Sequence, residues 1–385
     1  MCEGCPRRVR PTRLIDREDE MGELQRAVSA NRVVTITGIS GVGKTRLAAE
    51  VAARLSGEYR DGVGLVDLGI VAEPEMVPSA ISYQLGLADR AERTTIATLM
   101  DSLAARRILV MLDSCGHLLP ACESLITALR DATPNSTILA TSREAIGLAG
   151  ELAFNVRPLP ADHEAGTLFA ERARIASPSF GITNDNQMPI AEICRRLCGI
   201  PGAIELAAAR TRTMSASEIR DSLLDWFRLL TGDPWRVVRG MDTMLNTVAW
   251  SYRLSTEPER ILLRRLAVIR GGFTLDAAQS VGVSKELNLD QIEGYLSLLS
   301  DNSLVQTEEI GGTIRYRLSE AVGDYLLEKL AASGEADAVR ERYWHHYTAK
   351  ADAVTEHRGK QLTHLSASDF ANLHAAATWH SEALD

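Results

Sequence analysis

The stretch GISGVGKTRLA, Gly38 to Ala48, fits the phosphate-binding loop pattern G-x-x-x-x-G-K-[ST]. Glycines in such a loop let the backbone turn so that several N–H groups point at one anion. The pattern predicts that Lys44 places a positive charge at the β- and γ-phosphates of a nucleotide and that the Thr45 hydroxyl binds Mg²⁺. The alternative is an ordinary glycine-rich turn between a strand and a helix.

The segments on both sides of the loop decide between these alternatives. VVTIT, Val33–Thr37, is apolar and β-branched, which is typical of a buried strand. TRLAAEVAARL, Thr45–Leu55, places its apolar residues on one helical face. A helix N-terminus adds a partial positive charge beside the loop. The sequence therefore predicts a strand, loop and helix that together hold phosphate.

The composition indicates a soluble globular protein and excludes several classes of function. The chain has 385 residues, of which 45% are hydrophobic and 24% charged, so it is long enough for two to four domains. Its net charge of −9 argues against a surface that coats nucleic acid or binds an anionic membrane. No apolar run approaches the roughly 20 residues that span a bilayer, and no signal-peptide segment is present. We therefore expect a cytoplasmic protein without a membrane partner.

The six cysteines are scattered along the chain, as expected in a reducing compartment. Cys2 and Cys5 form a C-x-x-C pair, which is either half of a zinc site, a redox pair, or part of an unstructured basic tail that also carries Arg7, Arg8, Arg10 and Arg13. Nothing nearby completes a metal site, which favours the tail. Cys194 and Cys198 lie one helical turn apart and are predicted to be small core residues.

Residues 31–160 alternate strand and helix patterns, which predicts a parallel sheet flanked by helices. Three more strands are predicted at GVGLVDL (Gly62–Leu68), RILVMLD (Arg107–Asp113) and STILATSR (Ser136–Arg143). Ligands of open parallel sheets bind beyond the carboxyl ends of the strands. The ends of these strands should therefore converge on the loop at Gly38.

Two strand ends carry side chains suited to a metal-bound nucleotide. Asp113 closes an apolar run and is predicted to hold Mg²⁺ directly or through water, the alternative being a helix N-cap. Arg143 is predicted to reach the γ-phosphate and so to distinguish triphosphate from diphosphate, the alternative being a surface salt bridge. The residues after Asp113 are Ser114, Cys115, Gly116 and His117, so no acid adjoins it to prepare a water. His117 either serves acid–base chemistry or begins a helix.

Beyond residue 160 the pattern becomes helical. Residues 161–235 predict a helical domain, in which CGIPGAIELAAAR (Cys198–Arg210) begins a helix with Pro201 just inside it. Residues 236–330 predict a winged-helix domain, because helices precede two strand-like arms around Gly311–Gly312. Residues 331–385 are predicted to be a helical tail, and residues 1–30 an N-terminal lead with an adenine-side motif.

Four motifs in this order carry a family resemblance: GISGVGKTRLA, RILVMLDSCGHLL, ILATSREAIGLAGE and CGIPGAIELAAAR. The chain resembles the STAND nucleotidases (signal-transduction NTPases with numerous domains) of the NB-ARC type. Within them it looks like the nucleotide-binding module of large actinobacterial regulators of the LuxR and antibiotic-regulator classes. RLIDREDEMGEL (Arg13–Leu24) resembles the adenine-side motif of the family, and Met244–Ala278 resembles its winged-helix entry.

The resemblance implies an α/β P-loop NTPase fold followed by a helical domain and a winged-helix domain. It implies that Lys44, Asp113 and Arg143 serve any hydrolysis, that Thr45 and Asp113 hold Mg²⁺, and that Pro201 packs on the adenine of ATP or ADP. It further implies a switch that opens on a signal, exchanges ADP for ATP, and binds a protein partner or itself when active. The implied phosphate-binding residues are Gly38, Ile39, Ser40, Gly41, Val42, Gly43, Lys44, Thr45 and Arg46.

Three positions depart from the family pattern. Asp16 stands where the family has glycine before Arg17–Glu18, which puts a backbone contact in doubt. Gly116 stands where the regulators carry glutamate, which weakens a hydrolytic assignment. Ser319 stands at about the position of a winged-helix histidine that contacts the β-phosphate of ADP in plant and animal relatives. Because serine supplies no charge, we expect weaker retention of ADP.

Three functions follow from these observations. A regulatory nucleotide switch with slow hydrolysis is favoured over an efficient ATPase or kinase, because no second acid adjoins Asp113 and no separate substrate-binding signature is present. The third function is a DNA-binding regulator acting through its own winged helix. Residues 235–330 hold 11 Lys/Arg against 13 Asp/Glu, which argues against direct DNA binding. The chain ends in a segment that resembles the start of a helical sensor, so we expect either a fragment of a longer regulator or a short relative.

Overall fold

The structure is a computed structural model that describes residues 14–71, 73–87, 96–161, 163–231, 241–310, 312–358 and 365–382. The Cys2–Cys5 pair, the basic residues up to Arg13 and Gly311 of the predicted turn lie outside the described residues. The chain divides into two compact units, which are described separately. The sheet unit comprises Met1–Gly38, Lys44–Val156 and Trp344–Asp385, and the helical unit comprises Ile39–Gly43 and Arg157–Tyr343.

A five-stranded parallel sheet forms the centre of the sheet unit, in the order β2-β3-β4-β1-β5. The four strands predicted from sequence are buried at most positions, because their apolar side chains are covered on both faces. β5 is a mostly exposed edge strand of four residues, LAFN, which the sequence analysis did not predict. The strands are β1 (Val33–Thr37), β2 (Val63–Asp67), β3 (Leu109–Asp113), β4 (Thr137–Thr141) and β5 (Leu152–Asn155).

Helices surround this sheet and bury its apolar faces. The core between sheet and helices includes Val110 and Leu112 of β3 with Leu125 and Ile126, all buried, and full burial of each such side chain stabilises the fold by about 1.5–3 kcal/mol. The helices of this unit are α1 (Glu18–Ala30), α2 (Lys44–Leu55), α3 (Val77–Gln84), α4 (Ile96–Leu103), α5 (Leu119–Ala132), the part of α15 (Ala336–Arg358) from Trp344 onward, and α16 (Ala367–Glu382). α16 packs on α3, where the rings of Tyr83 and Phe370 stack with centroids 4.4 Å apart.

The helical unit consists of helices and one antiparallel hairpin. Its helices are α6 (Glu164–Ala176), α7 (Asn184–Arg196), α8 (Pro201–Ala209), α9 (Ala216–Thr231), α10 (Met241–Arg253), α11 (Glu257–Leu266), α12 (Leu275–Gly282), α13 (Leu289–Asp301), α14 (Glu320–Ser333) and the start of α15. The hairpin pairs β6 (Gln306–Ile310) with β7 (Thr313–Arg317), and Gly312 turns it with φ +79°. Phe273 bridges to Tyr316 beside it.

Hydrogen bonds connect segments of the helical unit that are distant in sequence. The Arg210 guanidinium, which is 5% exposed, donates to the backbone oxygen of Ser251 at 2.7 Å and to its hydroxyl at 2.6 Å. Burial lowers the pKa of Arg210 to about 10, although the nearby Glu259 acts in the opposite direction. The bond ties the turn after α8 to α10. The predicted helical and winged-helix segments thus lie in one compact unit.

The predicted fold class is confirmed: a parallel sheet flanked by helices is followed by a largely helical region. The winged-helix assignment rests on the order of helices and hairpin and stays a prediction, as do the five segment boundaries. In the part of the chain that the structure describes, no helix combines the length and the apolar character needed to cross a membrane.

Candidate functional site

The base of the glycine loop joins the end of β1 to the start of α2. Gly38 and Gly43 have φ values of +143° and +102°, which residues with a Cβ rarely adopt. The Lys44 ammonium donates to the Gly38 carbonyl at 2.8 Å, so it reaches back across the base of the loop. A phosphate-loop lysine serves as a point charge for phosphate oxygens, and the observed position suits that role.

Asp113 lies at the carboxyl end of β3 and is 1% exposed. Its Oδ1 accepts hydrogen bonds from the hydroxyls of Thr45 and Thr141, each at 2.6 Å. The Thr141 hydroxyl also accepts from the Ser114 N–H at 2.9 Å. Ser114, with φ +63°, precedes the next short helix, so Asp113 does not occupy the N-cap position of the alternative interpretation. The end of β3, the end of β4 and the start of α2 therefore meet at Asp113, as predicted.

Thr45 and Asp113 form a donor set that fits Mg²⁺. Both side chains offer hard oxygen ligands, and these oxygens lie 2.6 Å apart. Mg²⁺ in nucleotide sites takes one or two protein ligands and completes its shell with water and phosphate. In the described ranges no group of three or more His, Cys, Asp or Glu side chains could hold a metal. The oxygens of Thr45 and Asp113 fit an ion that is shared with a nucleotide.

Arg143 follows β4 and is exposed. Its carbonyl accepts a hydrogen bond from the Gly38 N–H at 3.4 Å. Its Nε lies 3.5 Å from the position that a Cβ on Gly116 would take. The structure thus places Arg143 beside both the base of the loop and the segment that follows Asp113. Its predicted contact with a γ-phosphate stays a prediction.

Glu151 shapes the loop that follows Arg143, a role that the sequence analysis missed. Its carboxylate accepts from the N–H groups of Ile146 at 2.9 Å, Gly147 at 2.8 Å and Leu148 at 3.1 Å. Burial acts to raise the pKa of Glu151, but the nearby Thr35 hydroxyl and the hydrogen bonds from these three amides outweigh burial and lower it. A carboxylate held by several amides stays ionised and rigidifies its loop. Glu151 was present in the quoted motif, but nothing in the pattern revealed its partners.

The other titratable side chains near Asp113 have structural contacts. One ring nitrogen of His117 lies 2.8 Å from the Val71 carbonyl, to which it donates when protonated. A hydrogen bond with Cys122 and burial raise the pKa of the Cys115 thiol well above its usual range, so it is a neutral core group. Asp67 is paired in register with Asp113, is 2% exposed, and accepts from the Gly69 N–H at 3.0 Å. These contacts brace the turns after β2 and β3.

The tip of the loop, Ile39–Gly43, belongs to the helical unit together with Pro201. Pro201 is the first residue of α8, as predicted, and the following Gly202 donates its N–H to the Gly41 carbonyl at 2.9 Å. Gly199 has φ +65°, and a Cβ there would lie 1.9 Å from the Leu159 carbonyl oxygen, so only glycine fits. The contact of Pro201 with adenine stays a prediction.

The remaining predicted loop residues occupy ordinary positions. Val42 is buried and donates its N–H to the Ile39 carbonyl at 3.4 Å, and Ser40 is half-buried. Arg46 lies in the first turn of α2.

Of the cysteines predicted to be core residues, Cys194 is fully buried, which raises its pKa to about 12, and Cys198 is half-buried.

The structure gives a physical account of two departures from the family pattern. Asp16 has φ +49°, a conformation that glycine adopts freely and aspartate tolerates, so the turn is kept without the glycine. At Gly116 the nearest neighbours of an added Cβ lie 3.5–3.6 Å away, which is ordinary contact, so a Cβ fits there. Ser319 is the N-cap residue of α14, and its expected weak hold on ADP stays a prediction.

Comparison with known proteins agrees with this geometry. The NB-ARC domain family matches residues 13–156. A solved STAND protein with a tetratricopeptide repeat sensor from Pyrococcus horikoshii aligns over 98% of this chain and 50% of its own, with TM-score 0.61 and 15% identity, which shows a shared fold. Residues 13–156 therefore match an NB-ARC domain, and the chain shares its fold with a STAND protein.

Two curated relatives from Mycobacterium tuberculosis are each 44% identical to this chain. One is named as a proposed HTH-type transcriptional regulator, and the match covers 358 residues, 92% of this chain. The chain spans only 40% of that relative's length. The other is an uncharacterised protein, matched over 340 residues that cover 87% of this chain and 86% of the relative.

Proposed function

We propose that this protein is a regulatory nucleotide switch that binds ATP and ADP with Mg²⁺ and hydrolyses ATP slowly. The observation that carries the proposal is the pair of Thr45 and Asp113 oxygens, 2.6 Å apart at the base of the loop. The next three residues, Ser114, Cys115 and Gly116, bring no second carboxylate. Such a site suits binding of a metal-bound nucleotide better than preparation of a water.

Different residues of the site would bind different parts of the metal-bound nucleotide. Backbone N–H groups of the loop and the Lys44 ammonium would hold the β- and γ-phosphates. Thr45 and Asp113 would hold Mg²⁺, which neutralises phosphate charge when bound. Arg143, whose guanidinium lies beside Gly116, would contact the γ-phosphate of ATP and so distinguish it from ADP.

Slow hydrolysis follows from the missing base. A positioned general base contributes roughly 10²–10⁴ to the rate. From a typical enzyme rate of about 10 s⁻¹, its loss leaves roughly one turnover per ten seconds to one per quarter-hour. His117, Cys115 and Asp67 are engaged in structural contacts and do not fill this role in the proposal.

The regulatory part of the proposal is supported by what the relatives are named. One relative carries the name of a proposed transcriptional regulator, and the solved neighbour is titled a signal-transduction ATPase with a repeat sensor. We infer a protein partner or self-association on activation in the cytoplasm. Direct DNA binding by this chain is not proposed, because residues 235–330 carry 13 acidic against 11 basic side chains.

The decisive experiment identifies the nucleotide that copurifies with the chain and then measures turnover. We expect denatured protein to release an adenine nucleotide, and steady-state phosphate release with Mg²⁺ to stay below about 1 s⁻¹. Gly116→Glu places an acid at a position where an added Cβ meets only ordinary contact and should raise turnover, whereas Gly116→Gln is the matched uncharged control. Wild-type turnover above that limit without a partner would support the efficient ATPase instead.

A further inference from the structure

Met244 of α10 packs directly against the tip of the glycine loop, within the helical unit. It is 3% exposed. Its Sδ lies 2.8 Å, and its Cγ 3.3 Å, from the position that a Cβ on Gly41 would occupy. Its Cε lies 3.3 Å from the corresponding position on Gly202. The thioether therefore fills the space that the two glycines leave open.

Gly41 is thereby held from two sides. Its carbonyl accepts the Gly202 N–H at 2.9 Å, and a Cβ on Gly202 would lie 3.1 Å from the Gly41 Cα. Because a peptide is planar and trans, a carbonyl directed at Gly202 turns the next N–H, that of Val42, the opposite way. The Val42 N–H donates to the Ile39 carbonyl at 3.4 Å.

This arrangement matters because the loop works through the direction of its N–H groups. A phosphate loop binds its anion with successive amides, so a rotated peptide at the tip removes a donor. Gly41, with φ +78°, has no Cβ that restricts its backbone, so neighbours must fix its conformation. Methionine suits this task, since its flexible chain fills irregular gaps without competing for hydrogen bonds.

We propose that Met244 is a positioning residue that keeps the loop tip in its phosphate-receiving conformation and couples the bound nucleotide to α10. The proposal rests on the proposed nucleotide-binding function. Nucleotide in the loop stabilises the Gly41 conformation that Met244 contacts, and by linkage the packing of Met244 strengthens nucleotide binding. Because affinity differences appear mainly in dissociation rates, this packing slows nucleotide release. A change at α10 then alters how long the nucleotide stays bound.

The test compares release rates of N-methylanthraniloyl-ADP from variants of the full chain. Met244→Ala empties the space beside Gly41, and we expect release about tenfold faster, because contact losses appear mainly in dissociation rates. Met244→Leu keeps most of the volume and should stay within about twofold of wild type. Leu262→Ala is the matched control, since Leu262 is fully buried in the same unit but packs beside Gly282.

A second readout does not depend on rates. With ¹³C-labelled methionine methyl groups, ADP should shift the Met244 resonance, which is assigned by its loss in Met244→Leu. Equal acceleration by Met244→Ala and Leu262→Ala, or an unmoved Met244 resonance on ADP saturation, would overturn the coupling and leave nucleotide binding intact. Failure of the wild-type chain to bind the fluorescent ADP would overturn the coupling and the proposed function together.

Discussion

The base and the tip of one loop are held by different kinds of interaction. At the base, Thr45 and Thr141 donate 2.6 Å hydrogen bonds to Asp113. At the tip, the Gly41 carbonyl accepts a backbone hydrogen bond from Gly202, and the side chains of Met244 and Ile200 pack against Gly41. The base uses charged and hydroxyl groups that a motif can specify. The tip is held by close packing, and the residues that pack against it lie roughly 160 to 200 residues further along the chain.

The difference indicates which part of the loop determines nucleotide binding and which part determines nucleotide exchange. Polar groups with fixed partners define what the base can bind, and changing one of them leaves another buried polar atom unpaired. Packing and backbone conformation define how the tip is held, and these depend on the position of the helices around it. We therefore expect substitutions at the base to affect binding itself, and substitutions at the tip to affect stability and exchange.

Lys44→Ala tests the base most severely. We expect the affinity for both ATP and ADP to fall at least about tenfold, because a hydrogen bond to a charged group contributes about 1.5–3 kcal/mol. Titration calorimetry measures both affinities, and Lys44→Arg serves as a control that keeps the charge. Unchanged affinities in Lys44→Ala would show that the base does not hold the phosphates.

The sequence predicted the base well because its residues come from contiguous motifs. Gly38, Lys44 and Thr45 lie in one stretch, and strand ends in a parallel sheet converge, so Asp113 and Arg143 could be expected nearby. The second hydroxyl on Asp113, from Thr141, was missed, although that residue was noted at the end of a strand. Which hydroxyl reaches a carboxylate depends on strand register, and no local pattern encodes it.

The tip could not be predicted in the same way. Met244 and Gly202 were quoted within longer motifs, but their contact with Gly41 follows only from how α8 and α10 fold. β5 was also missed, because its apolar run LAF is only three residues long and does not indicate a buried strand by itself. Local sequence patterns predict the secondary-structure elements and the motif residues. The residues that pack against a glycine such as Gly41 depend on long-range packing, which these patterns do not reveal.

Gly41→Ala tests the tip. Both the φ of +78° and the Met244 Sδ 2.8 Å from the new Cβ oppose alanine, and we expect a loss of about 1–3 kcal/mol in stability. Thermal unfolding without nucleotide measures it. Gly43→Ala is the matched control, because its φ of +102° is strained but no atom lies within 4 Å. If Met244→Ala restores none of the difference between the two, Met244 does not press on Gly41.

Thr141→Val tests whether the base needs its second hydroxyl. The substitution keeps the shape but removes the hydrogen bond to Asp113 and leaves the Ser114 N–H without this acceptor. We expect a loss of about 1–2 kcal/mol in stability and a weaker Mg²⁺ dependence of ATP binding. Thr141→Ser keeps the hydroxyl and should recover most of both. Equal behaviour of the two variants would contradict the role given to the hydroxyl.

Arg143→Ala compares the affinities for the two nucleotides, whereas the preceding substitutions compare the two ends of the loop. Since the guanidinium is proposed to contact only the γ-phosphate, ATP affinity should fall about fivefold more than ADP affinity, which corresponds to roughly 1 kcal/mol. Parallel calorimetric titrations with Mg²⁺ measure both. Equal losses for the two nucleotides would leave Arg143 as a residue that only shapes the loop around Gly38 and Gly116.

Gly116→Ala should have the smallest effect and sharpens the contrast with Gly41→Ala. Gly116 has no left-handed backbone, and the neighbours of its added Cβ, the Arg143 Nε and backbone N and the Ser142 hydroxyl, lie 3.5–3.6 Å away. Alanine therefore meets ordinary contact without strain, and we expect stability within about 0.5 kcal/mol of wild type. ADP affinity should be unchanged within error. A loss as large as that of Gly41→Ala would mean that the segment after Asp113 is as tightly constrained as the tip, and the distinction between base and tip would fail.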